Sequence, residues 1–86
     1  MKIDERIQRL IAIGASITAN CQPCLQTNVA KALECGADEQ EIAEAIEVGK
    51  RVRKGAATKM DEFAISVNHS VLTSESAVVA RCDCSQ

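Results

Sequence analysis

Cys21 and Cys24 stand three apart in the run NCQPCLQTN, residues 20–28, with Pro23 between them and Asn28 four residues after the second thiol. Two thiols at this spacing can cycle between dithiol and disulfide, contribute half of a tetrahedral metal site, or simply fill space as small apolar side chains. The setting favours the first. If a helix begins near Cys21, its leading amides and its dipole favour negative charge on both sulfurs. Cysteines so placed titrate below the free value of about 8.5, and the thiolate is the form that attacks peroxides and disulfides. Cys24 to Asn28 is one helical turn and Cys21 to Asn28 is two, so the three share one face, with Asn28 placed to hydrogen-bond the reacting sulfur.

The other cysteines pose separate questions. Cys35 lies alone near a helix end and reads as a small buried hydrophobe. Cys82 and Cys84 flank Asp83 in a CxC pair, whose disulfide would be strained and easily reduced, and which can exchange with the first pair. Four thiols, with His69 in reserve, would also satisfy a tetrahedral zinc ion, although CxC departs from the common ligand spacing. His69 is the sole imidazole and sits among polar residues, as an ordinary exposed side chain does.

The elements that must carry these residues are helices. Ile3, Ile7, Leu10, Ile11, Gly14 and Ile17 form one apolar stripe, which predicts a helix from about Asp4 to about Ala19. Leu25, Val29, Ala32 and Leu33 mark a second helix, with Pro23 in its first turn and Gly36 at its end. Asp38 and Glu41 form a capping box for a third, whose stripe is Ile42, Ala45, Ile46, Gly49 and Val52. Gly49 inside that helix costs about 1 kcal/mol against alanine, and so predicts the close approach of another helix. Beyond Gly55 a further amphipathic stretch, Met60 to Val71, either continues the third helix or forms a fourth. The fold class expected is all-α, a small helical bundle over residues 1–70, followed by a tail over 71–86 that carries the CxC pair.

Bulk properties narrow the function. Eighty-six residues bury only about 60 to 65 % of the surface that the unfolded chain exposes, so self-association into a homo-oligomer is expected. Ten basic and twelve acidic residues, with Phe63 the single aromatic, provide no basic stripe or stacking platform for nucleic acid. No apolar run approaches the roughly 18 residues of a membrane span. MKIDERIQRL lacks the apolar centre of a signal peptide, and five cysteines is an odd number for a disulfide framework, so a cytoplasmic location is expected.

The run RLIAIGASITANCQPCLQTNVAKALECGADEQEIAEAIEVGKRVRKGAA resembles the carboxymuconolactone decarboxylase family, specifically its small alkylhydroperoxidase D-like branch. The features shared are a helix leading into Ala-x-x-Cys-x-x-Cys, an alanine-rich helix ending in Gly36, and the acidic start Asp38-Glu39-Gln40-Glu41-Ile42. The resemblance covers roughly residues 5–65. It implies an all-α subunit that assembles through its helices, and a CxxC pair, here Cys21 and Cys24, that reduces peroxides or passes electrons from a lipoylated carrier to a peroxiredoxin. It also implies that the second cysteine attacks. The branch's proton relay, a glutamate on the preceding helix and a histidine four residues after the second cysteine, falls on Arg9 and Asn28. Neither relay group is present, and an asparagine amide does not accept and return a proton near pH 7. Arg9 can instead favour a nearby thiolate by its charge, or pair with Glu5 one turn earlier; Glu5 and Glu62 are the candidate stand-ins for acid or base.

The function expected is a thiol-dependent oxidoreductase. One thiolate, taken as Cys24, attacks a peroxide or disulfide substrate, Cys21 resolves the product as an intramolecular disulfide, and an external thiol reductant reopens it, without cofactor or metal. Two alternatives stand beside it: a metal-binding module built on the two cysteine pairs, and a non-catalytic oligomeric member of the family. Lactone decarboxylation would need polar groups around a larger substrate, for which the chain offers little.

Overall fold

The structure is a computed structural model that describes residues 2–72. It contains α1 (Glu5–Thr18), α2 (Gln22–Glu34) and α3 (Glu39–Leu72), and no strand among the described residues. The fold class is all-α, as expected. Cys82, Cys84 and nearly all of the 71–86 tail lie outside the described residues.

Local chemistry sets each boundary. An Asp4 carboxylate oxygen accepts the Ile7 amide at 2.9 Å and caps α1. At the end of α2, Gly36 takes φ 95°, while its amide bonds Leu33 O (3.2 Å) and that of Ala37 bonds Ala32 O (2.9 Å). This left-handed stop is one that glycine adopts without steric cost. The capping box of α3 forms in both directions: Asp38 Oδ1 accepts the Glu41 amide at 2.8 Å, and Glu41 Oε1 accepts the Asp38 amide at 3.1 Å. Past Gly55 the helix continues to Leu72. One glycine costs about 1 kcal/mol, too little to break a helix whose flanks are strong helix formers.

The chain divides into two units, Met1–Gly55 and Ala56–Gln86. In the first, Arg9 meets Asn28 near the middle of α2 while a tight turn joins Thr18 to Gln22, so α1 and α2 form an antiparallel hairpin. Contacts of α1 with α3 step forward along both helices, from Arg6 with Glu41 through Gly14 with Gly49 to Ile17 with Arg53, so these two run parallel. Ile13, Ala32, Ala37 and Ile42 form the buried centre, with Leu10, Leu25, Val29, Ala45 and Ile46 packed against it. Ile13 is its one large side chain at 0 % exposure, so the core is small and backbone proximity has to supplement it.

The supplement is at the two glycines. A Cβ on Gly49 would stand 2.5 Å from Gly14 O and 2.8 Å from Ile17 Cβ, so the expected close approach is present and its partner is α1. The Thr18 hydroxyl lies 3.0 Å from Gly14 O and 3.2 Å from Gly49 O, so its single proton bridges the same crossing. In the second unit, the described residues continue α3 with Met60, Phe63, Ile65, Val67 and Leu72 exposed.

Gly49→Ala is therefore expected to destabilise the fold by about 2 kcal/mol, lowering the thermal midpoint by roughly 8–16 °C in circular dichroism. Gly55→Ala, whose Cβ would meet nothing within 4 Å, is expected to raise stability by about 0.5–1 kcal/mol.

Candidate functional site

The dithiol is positioned by how α1 stops. Asn20 turns left-handed at φ 57°, its amide bonding Ile17 O (3.1 Å) and that of Cys21 bonding Ser16 O (3.0 Å). These two bonds form the paired closure that ends many helices, and asparagine is the residue besides glycine that most readily takes the left-handed position. Cys21 is then both the last residue of that closure and the N-cap of α2. Its backbone is extended, and its carbonyl accepts the Leu25 amide at 3.0 Å.

No side chain caps α2, its first turn holds no acidic residue, and Pro23 contributes no N–H. Gln22 and Cys24 therefore carry leading amides with no acceptor within the helix, a setting that favours an anion. Cys21 and Cys24 are disulfide-bonded, with an S–S distance of 2.05 Å and Cα atoms 5.3 Å apart. Cys24 is exposed and Cys21 half-buried, so the pair is not filling a core. Cys35, expected to be buried, is instead half-buried and free at the C-cap of α2, because a capping residue sits where the helix emerges from its packing.

Asn28 and Arg9 differ from expectation in their partners. The Asn28 amide does not bond a sulfur; its Nδ2 donates to the Cys24 carbonyl at 2.9 Å, the usual local bond of a short polar side chain one turn along a helix. Its Oδ1 accepts from Arg9 Nη1 at 3.1 Å, so Arg9 reaches across to α2 rather than pairing with Glu5. A guanidinium, an amide and the backbone of Cys24 are thus linked in series, and the two positions assigned to the relay do face one another. Glu62 belongs to the second unit. Among the described residues no group of three or more His, Cys, Asp or Glu gathers to hold a metal ion.

A pocket of about 180 Å³ opens beside Cys21, bounded by Ser16, Ile17, Asn20, Gln22, Leu25 and Arg53. Arg53 Nη1 donates to Asn20 Oδ1 (2.9 Å) and Ile17 O (3.3 Å), tying α3 to the turn that presents the cysteine. Sequence reasoning missed Asn20 and Arg53. Both left a signal: Asn20 lies three residues after Ile17, the last stripe residue of α1, and Arg53 lies one turn after Gly49 and so on the same face.

Fold and site together define a small helical domain that presents a CxxC disulfide at a helix start. The sequence model of the carboxymuconolactone decarboxylase family matches residues 1–61, and the chain belongs to that family. No curated protein and no solved structure gives a match.

Asn20→Ala is expected to lower stability by about 1 kcal/mol, because alanine resists the left-handed conformation and loses the Arg53 bond. Asn20→Gly, which restores the conformation alone, is expected to recover most of that loss in the same urea titration.

Proposed function

We propose that the chain is a thiol-dependent oxidoreductase of the alkylhydroperoxidase D-like branch, with Cys24 and Cys21 as its catalytic pair and disulfides rather than peroxides as its better substrates. The observation that carries this reading is the solvent-accessible pair at bonding distance on the uncapped, acid-free start of α2. In the reduced protein Cys24 is the attacking thiolate, since it is the more exposed residue of the two and lies in the first turn. It displaces one thiolate from a substrate disulfide. Cys21 then attacks Cys24 in the mixed disulfide, releasing the second thiol and closing the bond seen here. An external thiol reductant reopens it.

The preference for disulfides follows from proton demand. Cleaving a peroxide expels an oxygen anion that needs a proton at once, and a positioned acid contributes about 10²–10⁴-fold to such a step. Arg9 and Asn28, which hold each other at the relay positions, supply a fixed charge and an amide but no transferable proton near neutral pH. A departing thiolate needs no such donor. Arg9 and Asn28 are supporting residues that orient the first turns of α2 through the Cys24 carbonyl.

We place the reaction in a reducing cytoplasm; no helix among the described residues is long and apolar enough to cross a membrane. The working form is read as a homo-oligomer. Ile7, Ile11, Val48 and Val52, each 37 % exposed or more, line an open apolar groove of about 450 Å³ along α1 and the first part of α3. A small core gains most from covering such a surface.

With a model disulfide and dithiothreitol as reductant, Cys24→Ser is expected to abolish turnover, and Cys21→Ser to stall as a mixed disulfide visible by mass spectrometry. A double-serine variant as fast as the parent would remove the reading in favour of a non-catalytic role. Installing the relay, Arg9→Glu with Asn28→His, is expected to raise peroxide turnover by about tenfold or more without raising disulfide exchange. Val52→Asp, in the apolar groove, is expected to shift the sedimenting species towards a single chain, and an unchanged distribution would rule out this face as the interface.

A further inference from the structure

The pocket at the Arg53 side of the disulfide is not used by the cycle as described, and its chemistry is specific. Resting on the redox reading above, we propose that it is the docking subsite for the reductant, and that the reductant is a small thiol carrying a carboxylate or other anionic group.

The lining of the pocket indicates which cysteine the reductant meets. Thiolate attack on a disulfide runs in line with the bond being broken, so an attacker on Cys21 must approach from the side of that sulfur away from Cys24. The pocket wall includes Cys21 and not Cys24. An incoming thiolate seated there attacks Cys21 Sγ and forms a bond to it, while the Cys21–Cys24 bond breaks and Cys24 leaves as a thiolate. Cys24 is the suitable leaving group, because it sits among the leading amides of α2. A second molecule of the thiol then attacks the reductant sulfur of the mixed disulfide, releasing the oxidised reductant and the Cys21 thiolate. Two thiols have become one external disulfide, and the protein disulfide has become a dithiol. No other oxidant or reductant enters.

Size and charge decide what the thiol carries. The volume of about 180 Å³ is comparable to a cavity of about 150 Å³ that admits benzene, so it accepts an arm of a few heavy atoms and not a long acyl chain. Arg53 is the one charged side chain of the wall. Both of its hydrogen bonds use Nη1 and go to uncharged oxygens, and no carboxylate pairs with it among the described residues. A guanidinium has five N–H donors in a planar fork, so Nη2 and Nε are left for a ligand, and that fork matches a carboxylate. The Asn20 and Ile17 bonds hold the group against the turn, so little further ordering is required when an anion docks.

The test is the rate of opening of the Cys21–Cys24 disulfide in the full chain, by stopped alkylation and mass spectrometry. It uses 3-mercaptopropionate, neutral 2-mercaptoethanol and cationic cysteamine, each expressed per thiolate. The parent is expected to favour mercaptopropionate over mercaptoethanol by about fivefold at low salt, with the preference shrinking as salt is added. Arg53→Gln is expected to bring that ratio to about one, and Arg53→Glu to turn it in favour of cysteamine. The ratio is read within each variant, so a general loosening of the turn, which would alter all three rates together, does not imitate the result. Gln22→Glu, which keeps Arg53 and adds a negative charge at the pocket wall, is expected to lower the ratio as well. A parent ratio near one, or a ratio that Arg53→Gln leaves unchanged, overturns the subsite. Either result with cysteine-dependent turnover on dithiothreitol intact removes only the subsite, whereas turnover that persists without the cysteines removes the redox reading itself.

Discussion

Everything in the first unit is arranged around the contact of two backbones at Gly14 and Gly49. A core with one large fully buried side chain gives three helices little area to share, and α1 and α3 compensate by approaching until a Cβ on Gly49 no longer fits. The approach has a directional consequence. One turn beyond Gly49 on the same face, Arg53 arrives at the end of α1, where the Ile17 carbonyl and Asn20 lie within its reach. A packing constraint in the middle of the helices thereby places a cation at the turn that displays the disulfide.

That turn joins stability to chemistry. The bonds that close α1 orient the backbone of Cys21, and Cys21 in turn opens α2 without a capping side chain. A serine, threonine or aspartate at that position would occupy an amide and favour the helix by about 1 kcal/mol. Cysteine forgoes that gain and leaves the leading amides without an acceptor from a capping side chain. The cost is local, falling on one helix start that lies outside the buried cluster.

The pair formed by Arg9 and Asn28 ties α1 to the first turns of α2 beside the disulfide. The two positions meet across α1 and α2, as a relay must, but the groups that meet are a permanent cation and an amide. Their contact bears on the Cys24 backbone carbonyl.

What could be read from the residues in order was local. Helix periodicity, the Asp38–Glu41 capping box, the left-handed stop at Gly36 and the CxxC pair at a helix start each depend on neighbours within a few positions, where spacing and geometry are directly related. Gly49 announced a close approach because a mid-helix glycine has a known cost, but its partner Gly14 could not be named from the cost alone. Contacts between helices settled the rest: Arg9 bonds Asn28 rather than Glu5, Arg53 joins the site from 33 residues beyond Asn20, and Cys35 emerges half-exposed at a helix end. Those outcomes depend on the relative placement of helix axes, and a long flexible arginine has acceptors within reach on its own helix and on the next. Only the packed backbone selects among them.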